Sequence, residues 1–308
     1  LGPTTMYLIP LSLTSQQLLS DEKRDQVILL SSQKQLEQEQ LLLEALVPKS
    51  IARRLRDGEK NIADRYPETT VLFAYIDDYE EVFAACSNEL GKLISWVNAV
   101  FCAIDDLLER DFSATILKIS AFQKFYLAVS GCADLQLRKH AEHCALASVR
   151  MQRIVGEILR PDNGKPTCLR LGLCSGELSA GVIGLESPRF NTFGDTVNTA
   201  SRMASTALHT SEEAGWNVHL AKATADELSQ SFLLSLAQSE RAVLLPRPEG
   251  VLVKGKGLMH TYHLMCIPRS FDPGTPLAGA GAEGASRRSS PAHSRSPQQA
   301  RAAARGSL

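Results

Sequence analysis

The stretch from Gly181 to Ala204, GVIGLESPRFNTFGDTVNTASRMA, constrains this chain more than any other. It opens on small and branched residues, Gly181 to Leu185, that suit a buried strand, turns at Pro188-Arg189, and reaches Gly194-Asp195 just before a helical pattern. Asp195 is therefore the expected N-cap. Past the cap, Val197, Ala200 and Ala204 make one apolar stripe, while Asn198 and Arg202 fall four residues apart on a different face. A guanidinium offers a rigid fork of donors to phosphate oxygens, and an amide beside it can hold a hydroxyl or a ring oxygen, so the pair suits a polyanion. Taken alone, an Asn-x-x-x-Arg spacing is more often an ordinary exposed polar pair.

The rest of the chain alternates strands with long helices. TTVLFAYI, 69–76, is a strand. A helix follows over about 89–109, with Ile94, Val97, Phe101, Ile104 and Leu108 on one face. ATILKI and KFYLAVSG then flank a break at Ser120 to Gln123. A second helix spans about 135–159, and the strands CLRLGLC and SAGVIGL meet around Ser175-Gly176 before the Asn198 helix. One more strand (216–220) and helix (224–236) come after it. This βαββαβ order predicts an α+β, ferredoxin-like sandwich with helices on one face of a mostly antiparallel sheet.

Upstream, residues 1–14 have no periodicity and are expected to be irregular. Residues 15–58 form a linker in which Leu29, Leu36 and Leu43 recur every seven residues, although Gln33 and Gln40 fall where apolar partners belong. That pattern fits either a dimer stalk or an amphipathic helix packed on the domain. Pro48 interrupts it, and SIARRLRDG makes a short helix closed by Gly58. Residues 268–308 are rich in Gly, Ala, Ser, Pro and Arg and are expected to be disordered, with a candidate phosphorylation site in RRSSPAHSRSP.

Composition removes several function classes. A net charge of -1 over 308 residues argues against a general nucleic-acid binder. The 7 cysteines show no metal-ligand spacing and read as buried thiols in a reducing compartment. No apolar run approaches the roughly 18 residues of a spanning helix, and MYLIPLSL is too short for a signal sequence. A start at Leu1 rather than Met points to a longer parent, one that can carry membrane segments of its own.

The Gly-Val-Ile-Gly strand, the Pro-Arg-Phe turn and the Phe-Gly-Asp-Thr-Val-Asn-Thr-Ala-Ser-Arg-Met run together resemble the signature of the class III nucleotide cyclase catalytic domain, the family of adenylate and guanylate cyclases. The resemblance runs from about Lys49 to Ile267, with the cyclase homology domain itself over 59–267. LLLEALVPKSIARRLRDG resembles the linker before that domain, and VLVKGKGLMHTYHL its closing hairpin. The resemblance implies a nucleoside triphosphate whose 3′-hydroxyl attacks the α-phosphorus as pyrophosphate leaves, giving cAMP or cGMP. It makes Asn198 and Arg202 the catalytic candidates, at the ribose and the phosphates, and Lys254 the residue that reaches the triphosphate. Without it, the Lys254-Lys256 turn is a solvated hairpin tip. The purine-contact positions are Ser120 and Asn191, which match neither the family's Lys/Asp code for ATP nor its Glu/Cys code for GTP.

The family's two metal-binding aspartates fall on other residues in this chain. VLFAYIDDYEEVF puts Tyr75 at the first position, and LKISAFQKFYLAVSG puts Lys124 at the second. A lysine there opposes a cation by about 4 kcal/mol per unit charge at 4 Å with surface-like screening. Asp77 is a substitute ligand only if the strand runs on to it; Asp77 and Asp78 are better placed in a turn that caps the next helix. FAYIDDYEEVF and NAVFCAIDDLLERDFSATILKI look like the metal-free second half of the membrane adenylyl cyclases. The resemblance therefore implies a domain active only beside a metal-bearing cyclase partner, in a hetero- or tandem dimer, with Mg²⁺ or Mn²⁺ supplied through that partner. It implies a cytoplasmic domain, with the parent free to be a membrane protein. The competing reading is a pseudoenzyme whose cyclase fold serves as a dimerisation or regulatory module.

Overall fold

The computed structural model describes residues 23–38, 40, 42–43, 46–135, 138–184, 188–208 and 216–266. The stretches expected to be an irregular N-terminus (1–14), the start of a linker helix (15–22) and a disordered tail (268–308), together with Leu185, lie outside the described residues.

In chain order the elements are α1 (residues 23–38), α2 (Lys49–Arg56), β1 (Ala63–Ile76), α3 (Tyr79–Ala85), α4 (Leu90–Phe112), β2 (Leu117–Phe122), β3 (Phe125–Ser130) and α5 (His140–Val155). There follow β4 (Leu169–Ile183), β5 (Arg189–Phe193), α6 (Asp195–Ser205), β6 (Trp216–Ala221), α7 (Lys222–Glu227) and α8 (Gln230–Ser239). β7 (Ala242–Pro246), β8 (Val251–Val253), β9 (Gly257–Met259) and β10 (Thr261–Cys266) close the domain. The main sheet runs β2-β3-β1-β4-β6-β10-β7 with β5 added to β4, while β8 and β9 pair only with each other. The β4–β6 pair is parallel and the other pairs are antiparallel.

β1 sits near the centre and explains the layering. Val71 to Ile76 is apolar at every position, so the strand needs cover on both faces. Leu72, Ala74 and Ile76 pack with Trp96, Val100 and Ile104 of α4 and with Cys144 and Ala147 of α5. Val71 and Phe73 turn the other way, toward Ile51 and Ala52 of α2 and Ala200, Met203 and Ala204 of α6. Helices therefore flank a mostly antiparallel sheet on both sides, which corrects the expectation of one helical face.

Other local expectations shift for identifiable reasons. The buried side of α4 is carried by Leu93, Trp96, Val100, Ile104 and Leu107, and Ile94 is 66% exposed; the helix is rotated because its apolar residues crowd both edges of the stripe. The two strands expected around Ser175-Gly176 are one, β4, since Gly176 stays paired opposite Thr69 and its carbonyl accepts the Thr69 hydroxyl at 2.7 Å. Ser120 lies inside β2 rather than in a break, and the turn falls at Gln123-Lys124. The helix placed at 224–236 is two, because the Ser229 hydroxyl accepts the Phe232 N–H at 3.2 Å and starts α8 afresh. α5 begins at His140, later than expected. All seven cysteines are free; Cys102 is exposed and Cys168 half-buried, so the reading of uniformly buried thiols fails at those two. Residues 23–38 are helical and exposed throughout, so this stretch is not packed on the domain.

Candidate active site

α6 lies directly on β4. A Cβ at Gly172 would collide with the Ala200 carbonyl and the Ala204 nitrogen, so the glycine is what lets the two backbones touch. The Thr196 hydroxyl donates to the Glu177 carbonyl and pins the first turn. With Ala200, Met203 and Ala204 buried against the sheet, Asn198 is left exposed and Arg202 half-buried on the outer side of the helix. Among the described residues neither side chain makes a hydrogen bond or ion pair.

Asp195 is not the N-cap. Gly194 occupies that position, Asp195 is the first helical residue, and its carboxylate pairs with Lys256. That pair joins α6 to the β8–β9 hairpin, whose Val251 and Val253 are buried in the same apolar cluster as Ala200 and Met203. Lys254 is exposed at the hairpin tip and likewise has no partner among the described residues. The structure thus brings the hairpin bearing Lys254 up to the helix bearing Asn198 and Arg202. Ser120 on β2 and Asn191 on β5 lie on strands that touch without pairing. The Asn191 amide donates to the Arg189 carbonyl at 3.3 Å, and Ser120 and Asn191 are both half-buried.

The positions matched to the metal aspartates are engaged otherwise. The Tyr75 hydroxyl is 3.0 Å from Ser201 Oγ on α6, and its ring packs 5.0 Å from that of Phe73. Lys124 pairs with Glu80, and its ammonium holds that carboxyl below the usual carboxylate range. Asp77 lies just past the end of β1, buried, with Oδ1 at 3.0 Å from Arg170 Nε and accepting the Asp78 N–H at 3.1 Å. Asp78 is gripped by Arg160 at 2.6 Å. Asp77 and Asp78 do form the expected turn, but neither carboxylate caps α3, because these two arginines hold them instead. Among the described residues no three His, Cys, Asp or Glu side chains converge on a cation site. Tyr75 and Lys124 fill the positions matched to the metal aspartates, and Arg170 occupies the nearby buried carboxylate, Asp77, so these residues do not fit a divalent ion.

Ser201, Lys256, Arg170 and Glu80 are the residues that sequence reading missed. Lys256 had a signal, being the second lysine of the same KGKG turn. The Tyr75–Ser201 contact had none, because it joins residues 126 positions apart.

Residues 62–266 match the model of the adenylate and guanylate cyclase catalytic domain. The chain is 34% identical over 226 residues to soluble guanylate cyclase 89Da of Drosophila melanogaster, covering 73% of this chain and 30% of that protein. Among solved structures it is similar to the guanylate cyclase domain of RhGC from Catenaria anguillulae in complex with GTP, at 25% identity and a TM-score of 0.54 over 66% of this chain and 98% of the other. It is also similar to a non-canonical dimeric guanylyl cyclase domain of the RhoGC fusion protein from Blastocladiella emersonii, at 25% identity and a TM-score of 0.52, covering 67% and 98%. The chain spans about a third of the length of the curated relatives it matches first. No helix among the described residues is long and apolar enough to cross a membrane. A family match over residues 62–266, on a fold shared with these domains, places the chain in the class III adenylate and guanylate cyclase catalytic domain family.

Proposed function

We propose that this chain is the metal-free half of a two-domain nucleotide cyclase, forming a cyclic nucleotide and pyrophosphate from a nucleoside triphosphate in intracellular signalling. One contrast carries the reading. Tyr75, Lys124, Asp77 and Arg170 are committed to contacts within the chain, whereas Asn198, Arg202 and Lys254 have no partners among the described residues. A scaffold alone has no physical need for an amide and a guanidinium at adjacent turns of one helix beside an unpaired lysine. One structural relative, a guanylyl cyclase domain described as a non-canonical dimer, supports an arrangement in pairs. The strand order β2-β3-β1-β4 supports the ferredoxin-like βαββαβ core, and the exposed Val27, Leu29, Leu30 and Leu36 support a coiled-coil contact through α1.

In this reading a partner domain with both aspartates brings Mg²⁺ or Mn²⁺, whose charge favours the phosphoryl transfer. Asn198 orients the ribose so that the 3′-oxygen faces the α-phosphorus. Arg202 takes up the charge that grows on the transferring phosphoryl group while the bond to the β-phosphate oxygen breaks, and Lys254 holds the departing pyrophosphate. Positioning and charge neutralisation are the whole of this chain's share. Ser120 and Asn191 contact the purine as hydrogen-bonding groups of neither sign, so the product is cAMP or cGMP according to the base the completed pocket accepts.

The test is an assay of this chain alone and mixed with a cyclase domain that retains both aspartates but has its own asparagine and arginine replaced by alanine. Turnover only in the mixture is expected. A mixture as silent as its parts would favour the pseudoenzyme reading.

A further inference from the structure

We infer that the Asp195–Lys256 ion pair is a positioning latch, holding the Lys254 hairpin against the helix of Asn198 and Arg202. The inference rests on the role proposed above for Lys254. β8 and β9 are three residues each and bond only to one another, forming a two-stranded sheet separate from the main one. A ribbon that short does not hold its place by its own ladder. It is held from below by Val251 and Val253, buried while Leu252 between them is 79% exposed. Its tip is a tight turn in which the Lys256 N–H donates to the Val253 carbonyl at 2.9 Å, with Gly255 at φ 79. Lys254 therefore stands between two anchors, Val253 in the apolar cluster and Lys256 on Asp195.

The same pair settles an electrostatic conflict. Asp195, as the first residue of α6, stabilises the positive end of the helix dipole. Its carboxylate would also repel a triphosphate bound beside that end. Lys256 offsets that charge and leaves Lys254, the other lysine of the turn, without a partner among the described residues and open to phosphate. The two lysines of KGKG thus divide the work: Lys256 positions, and Lys254 contacts substrate.

Because Asp195 is largely exposed, the latch is expected to shift the hairpin by only a few-fold. In the chain alone, D195A and K256A should each speed amide exchange over residues 251–259 by about two- to five-fold, the range of an exposed ion pair, with the β1 and β4 amides unchanged. In the reconstituted pair, D195A and K256A should lower turnover to a similar extent and the double variant no further. The reversed pair, D195K/K256D, should recover a substantial part of what K256D alone loses. Unchanged hairpin exchange in both single variants overturns the latch. So does a turnover loss in K256A that D195A does not share and the reversal does not rescue, because Lys256 would then contact phosphate directly. If N198A and R202A also leave turnover untouched, the cyclase reading has failed, and the exchange measurement still decides the latch.

Discussion

The Tyr75 hydroxyl lies 3.0 Å from Ser201 Oγ, so the position matched to a metal-binding carboxylate ties β1 to the helix that carries Arg202 at the very next residue. Ser201 faces the sheet because Ala200 and Ala204 are pressed onto β4 at Gly172. Arg202, about 100° further round the helix, is thereby turned outward. In the proposed reading, the residue that stands in place of a metal ligand also fixes the helix of Asn198 and Arg202.

Isolated chain should therefore bind Mg²⁺ or Mn²⁺ only weakly and turn over neither ATP nor GTP. Titration calorimetry and a cyclase assay check this. The Y75D/K124D variant should gain cation affinity, since it restores two carboxylates and frees Glu80. Strong turnover by the unaltered chain that disappears in D77N would instead point to Asp77 as a ligand.

Gly172 is a test of how α6 is seated. G172A should cost on the order of 1–3 kcal/mol or more, because the clash is with backbone and cannot be relieved by a rotamer change. Thermal or denaturant unfolding of the chain alone measures it. An alanine variant of full stability would contradict the close approach.

His219 and His263 stack with ring centroids 4.7 Å apart, and burial lowers each to about 4 from 6.5. His219 bonds to the Met203 carbonyl at 2.8 Å, beneath the C-terminal half of α6, and to the Thr261 hydroxyl at 2.8 Å. Between pH 6.5 and 4 the unfolded chain holds more protons at these sites than the folded one. Their contribution to stability is thus complete above about pH 6.5 and is lost as the pH falls toward 4, at up to about 1.4 kcal/mol per pH unit for each histidine. Unfolding free energy measured from pH 7.5 to 4.5 should fall accordingly, and H263F should flatten the fall by about half. An equal slope in H263F would contradict the assignment.

The α1 segment bears exposed Val27, Ile28, Leu29, Leu30 and Leu36, more apolar surface than a solitary surface helix ordinarily shows. Removing residues 1–46 should weaken association of this chain with itself or with a metal-bearing cyclase domain, as read by sedimentation velocity. Unchanged association would place the contact wholly in the catalytic domain.

The parts legible in the sequence were those set by local pattern. The Asn198–Arg202 helix and the β8–β9 hairpin each lie within a dozen or so residues of their own signal. What was hidden depended on pairing across the chain. Gly176 reads as a turn and is a strand residue because Thr69 pairs with it. Ile94 reads as core and is exposed because the phase of a crowded apolar stripe is fixed only by what α4 meets. Asp195 reads as a cap and is instead the partner of a lysine 61 residues away. The two-faced cover of β1 was latent in its unbroken apolar run but needed α6 to fold back onto it.

The most direct measurement of the central claim is turnover by this chain reconstituted with a metal-bearing cyclase domain, comparing N198A and R202A with the unaltered chain. Each variant should lower kcat roughly 100- to 1000-fold, about 2.7–4 kcal/mol, while the affinity between the domains stays within a factor of about two, because both side chains lie on the outer face of α6 away from its packed residues. Turnover indifferent to both substitutions, with interface variants alone altering the partner's output, would contradict the account and leave the domain a scaffold.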